Sequence, residues 1–91
     1  MHALRIHVKG DVQNVGFRVY VQRRAAMRNI TGEVWNTQEG NVEALAIAQT
    51  KEALDGLLDD LRRGPGRIES IESEEVREPL PRRTFEIGPT R

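Results

Sequence analysis

The spacing of the apolar residues changes along this chain from a period of two to a helical period and back, and this change constrains the fold most. Leu4, Ile6 and Val8 alternate with polar residues, which predicts a first strand with one buried face. After a break at Gly10-Asp11 the period becomes helical, which predicts a first helix over about Phe17–Arg28. The helical apolar positions are Phe17, Tyr20, Val21 and Ala25.

Two strands joined by a hairpin are predicted next. Ile30, Val34 and Asn36 fall on one side of the second strand because they are even numbers of residues apart. The loop Thr37-Gln38-Glu39-Gly40 ends in the glycine that a short hairpin needs, and Val42–Ile47 forms the third strand. Asn36 is therefore expected at the end of a strand, on the face that carries Val34.

A second helix follows Thr50, which is suited to cap it. Its leucines form one stripe and its acidic residues lie on the other side, and Arg62-Arg63-Gly64-Pro65 ends it. The leucines are Leu54, Leu57, Leu58 and Leu61, and the acidic residues are Glu52, Asp55, Asp59 and Asp60.

The remaining segment predicts a charged, exposed strand over Ser70–Arg77 and a short strand at the sheet edge that contains Phe85 and Ile87. Pro79 and Pro81 predict a bend between these two strands. The order β-α-β-β-α-β plus a terminal strand is typical of an α+β fold, the ferredoxin-like sandwich, in which two helices cover one face of an antiparallel sheet. With 91 residues, the chain is expected to form a single domain over 1–91.

The composition excludes several classes of function. Lys and Arg number 14 and Asp and Glu number 14, so no long-range field attracts nucleic acid or an anionic membrane. The chain has no cysteine, which excludes a disulfide framework, a zinc–thiolate site and a thiol nucleophile. No stretch resembles a signal peptide or a membrane span. We expect a cytoplasmic monomer with neither nucleic acid nor membrane as its partner.

The connection from the first strand to the first helix is long and contains the candidate site. Gly10, Asn14 and Gly16 can adopt positive φ and turn successive main-chain N–H groups inward, next to the positive end of a helix. Arg18 lies in the first helical turn, where a cation is unfavourable but its planar guanidinium suits phosphate oxygens. These features predict an anion-binding loop, although an ordinary turn with a surface arginine fits the same residues.

Two motifs resemble the signature of the acylphosphatase family, which reads Gly-x-Val-Gln-Gly-Val-x-Phe-Arg and then Gly-x-Val-x-Asn. The matching segments are Gly10-Asp11-Val12-Gln13-Asn14-Val15-Gly16-Phe17-Arg18 and Gly32-Glu33-Val34-Trp35-Asn36. The resemblance continues through Gly40-Asn41-Val42-Glu43 and Gly64-Pro65 to Phe85. It implies the ferredoxin-like sandwich and the hydrolysis of small-molecule acyl phosphates to a carboxylate and inorganic phosphate, without a metal or other cofactor.

The resemblance also implies roles for individual residues. Arg18 would bind the phosphoryl group and Asn36 would orient the attacking water, although a capping or turn asparagine fits the position of Asn36 equally well. The substrate-binding residues would be Gln13, Asn14, Val15, Gly16, Phe17 and Arg18. The chain departs from the family at Asn14, where a glycine is usual, and at Ala48-Gln49 after the third strand.

The other polar residues are weaker candidates. His2 and His7 receive no role, and the carboxylates at Asp59-Asp60 and Glu72–Glu75 are expected on solvated faces. Trp35 is expected on the helix-free face of the sheet, either as packing or as part of an interaction patch.

Two rival functions fit the same fold. Asn14 in the loop is compatible with a non-catalytic anion-binding regulatory module. An RNA-binding domain ranks last, because one Trp, one Tyr and two Phe are too few for a stacking surface.

Overall fold

The structure, a computed structural model, describes residues 1–77 and 81–91. The described chain forms five strands and two helices in the predicted order. The elements are β1 (His2–Asp11), α1 (Phe17–Met27), β2 (Thr31–Asn36), β3 (Val42–Ala48), α2 (Lys51–Arg62), β4 (Arg67–Glu75) and β5 (Phe85–Ile87). Among these residues, neither helix is long and apolar enough to cross a membrane.

The strands form one sheet in the order β4-β1-β3-β2-β5. The first four strands pair antiparallel, and β5 lies at the edge as predicted. The prediction of a wholly antiparallel sheet is wrong for β5, which pairs in parallel with β2. The strand pairings therefore direct β5 opposite to β4 and in the same direction as β2.

Both helices pack on one face of the sheet and bury a single apolar core. The strands contribute Ile6, Val8 and Val34 to this core, and alternation places them on the same face. The predicted leucine stripe of α2 is confirmed, since Leu54, Leu57 and Leu61 are buried and Leu58 packs against the core. Thr50 caps α2 by accepting a hydrogen bond from the N–H of Ala53.

The strand predicted over Ser70–Arg77 begins three residues earlier, at Arg67. In the register with β1, Lys9 pairs with Ser70 and Gly10 pairs with Ile68, so one extra residue of β4 bulges out. This bulge explains why Ile68 and Ile71 are three residues apart. The predicted bend at Pro79 lies outside the described residues.

The expectation that Asp60 lies on a solvated face is wrong. Its side chain is buried between the helices, where it accepts hydrogen bonds from Arg28 at 2.7 Å and from Arg24 at 3.0 Å. Asp59 is exposed, as expected, and so is the segment Glu72–Glu75. Trp35 is covered by the guanidinium of Arg91, 4.1 Å from the ring centroid, so its role is packing.

Candidate active site

The backbone of the loop between β1 and α1 adopts the conformations expected for an anion cradle. Asn14 has a φ of 60° and Gly16 a φ of 83°, both in the left-handed region, and Gly10 has a φ of 139°. A Cβ at Gly10 would collide with the carbonyl oxygen of Arg67, so β4 approaches too closely for any other residue. These turns bend the chain between β1 and the start of α1.

Main-chain N–H groups without acceptors cluster at this turn. The first helical hydrogen bond of α1 runs from Tyr20 N–H to the Gly16 carbonyl at 3.0 Å, so the N–H groups of residues 17–19 have no acceptor within the helix. Within the described chain, the N–H groups of residues 13–16 donate to no main-chain carbonyl. No side chain of the described residues caps α1 and its first turn has no acidic residue, so none of them neutralises the positive end of the helix.

Arg18 lies in this first turn and is half-buried. It forms no ion pair with any carboxylate of residues 1–77 or 81–91, and neither does the exposed Arg23, whereas Arg24 of α1 and Arg28 at its C-cap both pair with Asp60. The guanidinium therefore adds positive charge where the helix dipole is already positive. Such a position is unfavourable unless an anion is bound there.

A cleft of about 100 Å³ opens beside the loop. Asn14, Gly16 and Arg18 line it together with Phe17, and Val12, Val19 and Ile87 complete its walls. Larger depressions exist, including one of about 600 Å³ beside Arg23 and Arg83. We place the site at the smaller cleft because it adjoins the main-chain donors that have no acceptor.

The side chain of Gln13 points away from the cleft and ties the loop to the β2–β3 hairpin. Its amide nitrogen donates to the carbonyl oxygens of Thr37 at 2.8 Å and of Asn41 at 2.9 Å. Thr37 immediately follows Asn36, so this contact holds the end of β2 against the loop. The pairing of β5 with β2 also links the cleft to the end of β2. Ile87 lines the cleft and pairs with Val34, two residues before Asn36.

Asn36 is 8% exposed, and its side-chain oxygen is buried without a hydrogen-bond partner in the described chain. A buried amide oxygen of this kind is costly unless a water or a ligand supplies a donor. The main chain around Asn36 is fixed, since its carbonyl accepts from Arg91 N–H at 2.9 Å and Gln38 N–H donates to the Arg91 carbonyl at 3.0 Å.

The structure thus brings most of the residues predicted for the site together. Asn14, Gly16, Phe17 and Arg18 line the cleft, whereas Gln13 and Val15 contribute no side chain to it. Val15 lies against Gly66. Asn36 does not line the cleft, and the contact to the loop is made by its neighbour Thr37.

The sequence did not predict that Val19 and Ile87 line the cleft, nor that the side chain of Gln13 connects the loop to the hairpin. The pairing of β5 that positions Ile87 leaves no local signal in the sequence. In the described residues, no three His, Cys, Asp or Glu side chains come together as a metal site would require.

Comparisons with known proteins identify the family of this chain. The family model described as Acylphosphatase matches residues 4–87. An acylphosphatase of Bordetella parapertussis is 41% identical over 86 residues, which cover 94% of this chain and 84% of that protein.

Solved structures give the same result. The chain superposes on the acylphosphatase from Bacillus subtilis with a TM-score of 0.92 and 34% identity, covering 97% of this chain and 99% of that one. For an acylphosphatase from Coxiella burnetii the TM-score is 0.87 at 27% identity, covering 96% of this chain and 92% of that one. With both motifs in place on this fold, the chain belongs to the acylphosphatase family.

Proposed function

We propose that this protein is an acylphosphatase, an enzyme that hydrolyses the carboxyl–phosphate anhydride of a small acyl phosphate to a carboxylate and inorganic phosphate. The observation that carries the proposal is the cluster of main-chain N–H groups at the start of α1 that have no acceptor within the described chain, beside Arg18, which pairs with no carboxylate there. Such a cluster suits an anion such as a phosphoryl group. Family membership supports the reaction class.

In the proposed mechanism, the main-chain N–H groups of residues 13–17 and the guanidinium of Arg18 hold the phosphoryl oxygens. Charge that develops on those oxygens in the transition state then meets donors that are already oriented. The guanidinium can donate two parallel hydrogen bonds to two phosphoryl oxygens at once, whereas the single ammonium group of a lysine does not match this geometry.

Asn36 is the proposed orienter of the nucleophile. We propose that the attacking water donates a hydrogen bond to the buried side-chain oxygen of Asn36, which has no other partner in the described chain. The water oxygen attacks phosphorus, the bond from phosphorus to the acyl oxygen breaks, and its electron pair leaves on the carboxylate. The attacking water loses a proton to solvent or to the phosphate product. Because a carboxylate leaves readily, positioning and charge stabilisation suffice, and we propose that no metal is required.

We also propose that residues 1–91 act as one domain, as a monomer, in the cytoplasm. The strands from both ends of the chain belong to one sheet, which supports a single unit. The absence of cysteine fits a reducing compartment.

The test is phosphate release from benzoyl phosphate in the presence of a chelator. Arg18→Ala should lower kcat/KM at least ~100-fold and weaken competitive inhibition by inorganic phosphate, and Arg18→Lys should recover only part of the loss. Asn36→Ala should lower kcat ~100-fold with little change in KM. Arg23→Ala removes an exposed arginine of the same helix and serves as the control. Phosphate binding without turnover would instead identify a non-catalytic anion-binding module.

A further inference from the structure

Exposed apolar side chains are concentrated around the proposed active site. The large apolar residues that are well exposed in the described chain are Met1, Val15, Val19, Met27 and Ile87. Three of these, Val15, Val19 and Ile87, lie in the cradle loop or in the walls of the cleft. Exposed apolar residues that gather at a cleft indicate a surface that contacts a ligand.

Val19 and Ile87 belong to different elements and meet only at the cleft. Val19 is in the first turn of α1 and is 41% exposed, and Ile87 ends β5 and is 36% exposed. Val12 and Phe17, each 1% exposed, line the same cleft. Much of the lining is therefore apolar, and Val19 and Ile87 are its exposed apolar members.

The lining of the cleft offers different groups to the two parts of a substrate. Arg18 and the main-chain donors are assigned to the phosphoryl group by the proposed function. The acyl group is then left with the apolar part of the lining, of which Val19 and Ile87 are the exposed members. The charged residue that lines the cleft is Arg18, which the proposed function assigns to the phosphoryl oxygens.

We propose that Val19 and Ile87 form the acyl-binding wall of the enzyme and select acyl phosphates with an uncharged, apolar acyl group over those that carry a second carboxylate. This inference rests on the proposed function. An apolar acyl group gains contact with both side chains, whereas a second carboxylate would lose water there without gaining a partner.

The test compares kcat/KM for benzoyl phosphate and succinyl phosphate across variants, so that the intrinsic reactivities of the two substrates cancel. The double variant Val19→Thr, Ile87→Thr keeps both residues β-branched and makes the wall polar. We expect its benzoyl-to-succinyl ratio to fall roughly tenfold from the wild-type value, with unchanged inhibition by inorganic phosphate. Ile87→Lys, at the exposed end of β5, should lower the ratio further by attracting the second carboxylate.

Met27→Thr is the matched control, because Met27 is 70% exposed at the other end of α1. Its ratio should equal the wild-type ratio. An unchanged ratio in both the double variant and Ile87→Lys, or an equal fall in Met27→Thr, would overturn the acyl-binding wall. If the wild type neither binds inorganic phosphate nor hydrolyses either substrate, the proposed function itself fails, which is a different result from an unchanged ratio.

Discussion

Asn14 is the residue at which the cradle departs from its family, and the structure shows why the departure is tolerated. Its φ of 60° lies in the left-handed region, which glycine adopts freely and asparagine adopts more readily than other residues with a Cβ. The side chain is exposed at the lining of the cleft, so it does not compete for space in the core. The loop therefore keeps its path with a larger residue at this position.

Replacing Asn14 tests this explanation. Asn14→Ala should lower the free energy of unfolding by about 1 kcal/mol, because alanine lacks the tolerance of asparagine for positive φ. Asn14→Gly should show no such loss and should bind inorganic phosphate at least as well as the wild type. Urea denaturation and competitive inhibition measure the two quantities. Equal stability of the two variants would mean that backbone conformation does not select the residue here.

The sequence identifies Gly32 as a motif residue but does not explain why it is a glycine. Gly32 begins the second motif, yet the alternation of residues in this strand gives no physical reason for a glycine. In the structure its φ is 139° and a Cβ would collide with the carbonyl oxygen of Leu45 in β3. The constraint comes from the neighbouring strand, which sequence spacing alone does not reveal.

The loop between β1 and α1 and the hairpin between β2 and β3 act as a pair because of Gln13. Its amide nitrogen donates to two carbonyl groups of the hairpin, those of Thr37 and Asn41. One side chain therefore links the loop of the proposed phosphate cradle to the residue next to Asn36. The resemblance assigns Gln13 to substrate binding, and its main-chain N–H stays in the proposed phosphate cradle while its side chain connects the two loops.

Gln13→Glu should separate these loops without altering the size of the side chain. A carboxylate cannot donate to the two carbonyl oxygens, so it replaces two attractions by repulsion. We expect kcat to fall ~10-fold or more through misplacement of Asn36, while the inhibition constant of inorganic phosphate changes less. Steady-state kinetics with benzoyl phosphate measure the split, and Gln49→Glu, at an exposed position between β3 and α2, controls for the added charge. A loss confined to phosphate binding would contradict the positioning role.

Helices and hairpins were predictable because their signals are local. The stripe of α2, its cap at Thr50 and the hairpin loop before Val42 depend on residues close together in the sequence. The bulge in β4 and the parallel pairing of β5 depend on a partner strand far along the chain. The element order was therefore predicted correctly, while the register of the edge strands was not.

The carboxylate of Asp60, which is expected on a solvated face, instead joins the two helices. Asp60 of α2 binds Arg24 and Arg28, near the end of α1 opposite to Arg18. Gly56 leaves the space for the Arg28 guanidinium, since a Cβ there would collide with it. This ion pair connects the C-terminal end of α1 to α2. The orientation of α1, whose other end carries the proposed site, therefore depends in part on it.

The pKa of Asp60 makes that anchor sensitive to acid. Hydrogen bonds from Arg28, and then Arg24, lower the pKa of its carboxyl from 3.8 to about 2. The unfolded chain then binds more protons than the folded one between these values, so stability falls as the pH falls through this window. Above about pH 4 the contribution is complete and amounts to roughly 2 kcal/mol.

Asp60→Asn removes this contribution and provides the measurement. At pH 7 the variant should be less stable than the wild type by roughly 2 kcal/mol in urea denaturation, and the difference should shrink as the pH is lowered from about 4 to 2. Asp59→Asn is the control, because Asp59 is exposed and pairs only with Arg62 of its own helix within the described chain. A stability difference between the wild type and Asp60→Asn that stays constant down to pH 2 would show that the carboxylate charge does not join the helices.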